Sequence, residues 1–114
     1  MSLVITSDAG FAHDVLASPT PVLVDFTADW CPPCRMIVPT LEKIADDERD
    51  RLRVVSIDVD ANPATPVTYG VIGMPTLALF VDGEIVARIM GARPHAAIMR
   101  ELEPHLQRQA RPTA

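Results

Sequence analysis

Two cysteines, Cys31 and Cys34, stand with two residues between them in Trp30-Cys31-Pro32-Pro33-Cys34. The run before them, Pro21–Thr27, is nearly continuous in apolar residues and reads as a strand covered on both faces. After them Ile37, Val38, Leu41, Ile44 and Ala45 recur at helical spacing. The pair therefore joins the end of a buried strand to the start of a helix. Unpaired N–H groups and the positive end of the helix dipole favour a thiolate there. The first sulfur sits outside the helix end and the second one turn in, which makes Cys31 the candidate nucleophile and Cys34 the resolving thiol. Rival chemistries fit less well. A structural zinc site needs two more ligands, but there is no second cysteine pair and His13, His95 and His105 are scattered. A cluster shared between two chains is the remaining metal reading. A purely structural disulfide would close a loop too short to stabilise much.

Asp25 stands in the middle of the apolar strand before the cysteines. A buried carboxylate is costly when charged, so its pKa should rise and it can hold a proton near neutrality. Asp58 and Asp60 read as charged residues closing a strand ahead of Asn62-Pro63 rather than as metal ligands. The three histidines read as surface or helix residues. Arg35 reads as a solvated helix residue that could also stabilise a nearby thiolate.

The elements that must position these groups follow from the pattern. Leu3–Ile5 suits a short edge strand. Ser7 and Asp8 suit the start of a helix burying Phe11 and Val15, broken at Ser18-Pro19-Thr20-Pro21. Pro39 should kink the helix after the cysteines. Arg53–Val59 reads as a second central strand, and Asn62-Pro63 as the cap and first residue of a short helix ending near Tyr69-Gly70. Thr76–Val81 and Glu84–Met90 flank Asp82-Gly83, a two-residue hairpin signal. Pro94 can open a last helix with Ile98, Met99 and Leu102 inward, which Pro104 should end or kink. The order β-α-β-α-β-α-β-β-α implies an α/β layer with a mixed central sheet.

Composition bounds the rest. With 114 residues, 48% of them apolar, one domain is expected, over residues 1–106, followed by a frayed tail at 107–114. A core of this size needs no staple, so the cysteines are not there for bulk stability. A net charge of −5 argues against nucleic acid or an anionic membrane as partner, and no apolar run approaches the roughly 18–20 residues of a membrane span. The first twenty residues lack a basic start and a long apolar stretch, so no secretory signal is expected and the expected compartment is the cytosol. There a close cysteine pair is more often catalytic or metal-binding than structural.

From about Val4 to about Leu106 the sequence resembles the thioredoxins. The resemblance is carried by Val22-Leu23-Val24-Asp25-Phe26, by Trp30–Ile37 with its two cysteines, by Pro39, Asp58–Pro63, Tyr69-Gly70-Val71, Gly73-Met74-Pro75-Thr76 and Asp82-Gly83. A lone pair at this spacing would be weak; the pair with Asp25 upstream and Met74-Pro75-Thr76 downstream is specific. It implies the thioredoxin fold, a mixed five-stranded sheet ordered 1-3-2-4-5 and flanked by four helices. It also implies a cis peptide between Met74 and Pro75, found at only about 5% of X–Pro bonds. In similar proteins that loop faces the cysteines and pairs through its backbone with an extended substrate. Trp30, Met74 and Gly91 would then form an apolar docking surface, and Asp25 would take the proton of Cys34 when Cys34 attacks the mixed disulfide.

Several residues depart from that family pattern. Pro32 stands where most thioredoxins have glycine, and neither Pro32 nor Pro33 can donate an N–H, so Cys34 and Arg35 supply the nearest donors. Fewer donors should stabilise the Cys31 thiolate less and make the pair more reducing. Ser56 replaces a common lysine beside the buried aspartate, which should raise the Asp25 pKa further. Thr27 stands where an aromatic residue often packs, and Ile72 replaces a frequent basic residue. The function implied is dithiol–disulfide exchange that reduces protein disulfides and maintains cytosolic redox state. The implied partners are disulfide-containing proteins and a flavin-dependent thioredoxin reductase that draws on NADPH. The chain has no nucleotide-binding glycine motif, no bound cofactor is expected, and a monomer is expected. The alternatives are a disulfide oxidant or isomerase, and a non-catalytic binding subunit or chaperone using the same surface.

Overall fold

The computed structural model describes residues 3–110. Five strands form one sheet in the order β1-β3-β2-β4-β5, with β1 at Val4–Ile5, β2 at Val22–Thr27, β3 at Arg53–Asp58, β4 at Thr76–Val81 and β5 at Glu84–Met90. β1 and β2 run parallel to β3, while β4 runs antiparallel to both β2 and β5. The sheet is mixed and has the implied strand order. The central strand β2 is apolar because both its faces are covered, with Val22 through Phe26 all buried. On one face Leu23, Leu77 and Leu79 pack with Leu41, Ile44, Ile98 and Leu102 from the helices. On the other, Val24, Phe26, Val55 and Phe80 pack with Phe11 and Val15.

The helices are α1 at Pro32–Met36, α2 at Val38–Asp47, α3 at Ala64–Thr68 and α4 at His95–Ala110. The expected break near Pro39 lies at Ile37, between α1 and α2. Pro39 has no N–H for the Arg35 carbonyl four residues back, and the helix resumes as Leu41 N bonds Ile37 O at 3.0 Å. The Asp82-Gly83 turn has φ of 53° and 81°, both positive, as a tight hairpin between twisted strands requires.

Three local expectations need correction. Residues Ala12–Leu16 form a wide turn closed by Ala17 N to Ala12 O at 2.9 Å, and Asp8 does not serve it. Asp8 instead caps α3, accepting from Ala64 N, Thr65 N and Thr65 Oγ1 at 3.1, 2.9 and 2.6 Å. Asn62 is accordingly not the cap of α3: its Oδ1 accepts from Asp8 N at 2.9 Å, and its amide donates to Asp58 O. Helix α4, finally, does not stop at Pro104. Pro104 lies on the exposed face, so the Arg100 carbonyl it leaves unpaired can turn to water. Leu102 and Leu106 remain fully buried and hold both sides of the proline on the core. The helix continues to Ala110; residues 111–114 of the expected tail lie outside the described residues.

Candidate active site

The carboxyl end of β2 delivers the chain into Ala28-Asp29-Trp30 and then into Cys31, whose extended backbone (φ −100°, ψ 105°) makes it the N-cap of α1. Pro32 and Pro33 occupy the first helical positions, where the missing N–H groups have no intrahelical role. Cys34 N donates to Cys31 Sγ at 3.3 Å, while Arg35 N turns to the Cys31 carbonyl at 3.3 Å. One amide therefore addresses the Cys31 sulfur. The two cysteines form a disulfide with their Cα atoms 5.3 Å apart.

Both cysteines are buried, but they face different surroundings. Cys31 Sγ lies 3.7 Å from the carbonyl oxygen of Met74, which precedes the cis Met74–Pro75 bond. Met74 and Val59 pack against Ala28, Cys31 and Cys34. Cys34 lines a cavity of about 310 Å³ together with Asp25, Thr27, Arg35, Glu42 and Ser56. The motif thus sets the Cys31 sulfur beside the Met74 loop and places Cys34 on the cavity that Asp25 also lines.

Asp25 pairs in register with Ser56 of β3 and Leu77 of β4, so it is held in the sheet centre. It is only 1% exposed, and its Oδ1 has no hydrogen-bond partner among the described residues. Burial pushes its pKa up to about 7. Ser56 at the paired position supplies no charge. The carboxyl is therefore poised between its two protonation states at neutral pH.

Trp30 is 64% exposed, and its indole N–H donates to Asp60 Oδ2 at 2.7 Å. Sequence reasoning placed Asp60 at the end of a strand and missed this contact, since nothing in the spacing of two residues thirty apart signals it. Asp58 closes the same turn, its Oδ1 accepting from Asp60 N at 2.9 Å. Gly91 sits at φ 86° just past β5 and donates its N–H to Pro75 O at 2.9 Å, tying the end of β5 to the cis-proline loop. Pro75 is buried and Met74 half-buried, whereas Ile72 and Met90 are exposed nearby in the chain. The Arg35 guanidinium donates to the Asp29 carbonyl, and His13 pairs with Asp14 at the surface. Among the described residues no group of three or more His, Cys, Asp or Glu side chains is gathered as a metal site. No helix there is long and apolar enough to cross a membrane.

A buried acid, a paired cysteine motif and a cis-proline loop thus meet at the carboxyl end of β2. The thioredoxin family model matches residues 2–104. The chain belongs to the thioredoxin family. It is 53% identical over 96 residues to a thioredoxin of Mycobacterium tuberculosis, covering 84% of this chain and 83% of that protein. It is 48% identical over 105 residues to a thioredoxin of Acidithiobacillus ferridurans, covering 92% and 97%. It also matches the bifunctional thioredoxin reductase/thioredoxin of Mycobacterium leprae at 49% over 96 residues, which is 84% of this chain and 21% of that longer protein. As a thioredoxin it is a thiol–disulfide oxidoreductase, a protein-disulfide reductase whose redox centre is the Cys31–Cys34 pair.

Proposed function

We propose that the reduced protein attacks client disulfides through Cys31 and completes the exchange through Cys34. The Cys31 thiolate bonds one sulfur of the client disulfide, the client S–S bond breaks, and one client thiolate leaves. Cys34 then loses its proton and attacks the Cys31 sulfur. The intermolecular S–S bond breaks, the second client thiolate leaves, and the Cys31–Cys34 disulfide remains. Two electrons pass to the client. The observation that carries this division of roles is the placement of Cys34, not Cys31, on the cavity that holds Asp25. An ionised Asp25 accepts the Cys34 proton, and a pKa near 7 suits a group that must both take and release it.

Trp30, Met74, Pro75 and Gly91 border the client, whose backbone pairs with the Met74-Pro75 segment beside Cys31. Re-reduction calls for a partner thioredoxin reductase drawing on NADPH; the Mycobacterium leprae relative carries both names on one chain, which supports that pairing. We place the protein in the cytoplasm as a monomer, since thiols are kept reduced there, with residues 1–106 as the working domain. The test is NADPH-coupled insulin reduction with a thioredoxin reductase. Wild type should turn over, and Cys31→Ser should lose essentially all activity. A Cys31→Ser protein that keeps its rate would instead favour a binding role for this surface.

A further inference from the structure

The chain carries a net charge of −5, yet one groove on it has the opposite character. Strand β5 has β4 on one side and, among the described residues, no strand on the other. Because Gly91 N donates to Pro75 O, antiparallel alternation turns the backbone groups of Ile89 toward β4 and those of Arg88 and Met90 toward the free edge. The Met90 carbonyl accepts from Arg93 Nε at 3.2 Å. The Arg88 N–H and C=O and the Met90 N–H remain on the open side. Between this edge and α4 lies a groove of about 350 Å³ whose lining includes Met90, Arg93, Arg100 and one carboxylate residue, Glu101. Arg93 lies in the segment that leads into α4, Ala97 and Arg100 lie on α4 itself, and all three line the groove, with the small Ala97 between the two arginines in sequence. Lys43, Arg49 and Arg51 each pair with a carboxylate, whereas neither Arg93 nor Arg100 has such a partner among the described residues.

We propose that the β5–α4 groove is a second docking site, which takes an extended acidic segment of a protein client. The segment's backbone pairs with the free edge at Arg88 and Met90, and its carboxylates meet Arg93 and Arg100. The groove opens beside Met90-Gly91, and Gly91 is bonded to Pro75, so a client lying across the cysteines can continue along β5. The proposal rests on the disulfide-exchange reading and adds a client class: disulfides with Asp or Glu residues to one side are reduced preferentially.

The probes are a cystine peptide with a Glu-rich flank and the same peptide with a Gln-rich flank, compared by kcat/KM at low salt. Wild type should favour the acidic peptide about fivefold, a ratio suited to two exposed charge pairs. The ratio should fall to near one in Arg93→Gln/Arg100→Gln and in high salt. Arg49→Gln/Arg53→Gln removes the same charge elsewhere, Arg53 pairing with Val22 at the opposite end of β2, and should keep the preference. A ratio near one in wild type, or a preference that survives in the groove variant, overturns the proposal. A cystine-free form of the acidic peptide, titrated against the labelled protein, separates the two readings. Amide shifts at Arg88 and Met90 without reduction of either peptide would keep the groove and remove the exchange reading; absence of those shifts removes the groove.

Discussion

Asp25 is the residue whose chemistry the surroundings change most. Its pKa stands near 7 against 3.8 in the unfolded chain, so the folded state holds the proton more tightly. The stability linked to this proton is therefore full below about pH 3.8 and is lost as pH rises through 7. At pH 8 the buried charge costs up to about 4 kcal/mol, from roughly 1.4 kcal/mol per pKa unit. Asp25→Asn should consequently unfold at higher denaturant than wild type at pH 8, with little difference at pH 4; equal midpoints at pH 8 would contradict the assignment. The same variant should lose the pH dependence of client reduction near neutrality, and an unchanged profile and rate would remove Asp25 from the proton path. Pro32 belongs to this scale too. Cys34 N is the one amide addressing Cys31 Sγ, so Pro32→Gly, which restores a donor beside the thiolate, should raise the reduction potential by some 30 mV, a roughly tenfold change in the exchange constant. A fall measured against a glutathione buffer would show that the stiffness of the loop dominates.

At the scale of elements, strands were readable wherever burial and turn chemistry agreed. Thr76–Val81 and Glu84–Met90 follow directly from the two runs that flank the Asp82-Gly83 turn. Gly83→Ala tests that hairpin. A side chain there would face φ 81° and meet the Leu16 carbonyl at 3.2 Å, so a loss of about 1–2 kcal/mol is expected in urea unfolding. Full stability in the variant would mean that the turn relaxes without cost. Helix ends were less legible, because a cap can come from far along the chain. Asp8 resembles a first-turn carboxylate behind a Ser7 cap, and Asn62 the cap of the helix that follows it, yet Asp8 crosses to α3, fifty-six residues on, and Asn62 holds Asp8 in turn. Asp8→Ala should speed hydrogen exchange at Ala64 and Thr65, while unchanged exchange at both would show that α3 does not depend on this cap. Pro104 misleads in the other direction. Helix propensity alone predicts a stop, but Leu102 and Leu106 are buried on either side and tertiary packing prevails.

Over the whole molecule, the order of elements and the position of the cysteine pair were legible from hydrophobic pattern and chain order, whereas the strand order 1-3-2-4-5 came from the resemblance to the thioredoxins. The unequal surroundings of the two cysteines were legible only through that resemblance and not from the residue pattern, since the Met74 loop and the Asp25 cavity come together only in the folded sheet. The Trp30–Asp60 bond was hidden for the same reason. The proposed division of tasks between the two cysteines rests on these long-range contacts, and trapping the mixed disulfide tests it most directly. Reduced Cys34→Ser protein, mixed with a disulfide client and resolved without reductant, should accumulate a covalent adduct through Cys31, and Cys31→Ser should form essentially none. A stable adduct of Cys31→Ser through Cys34, with none from Cys34→Ser, would contradict the assignment.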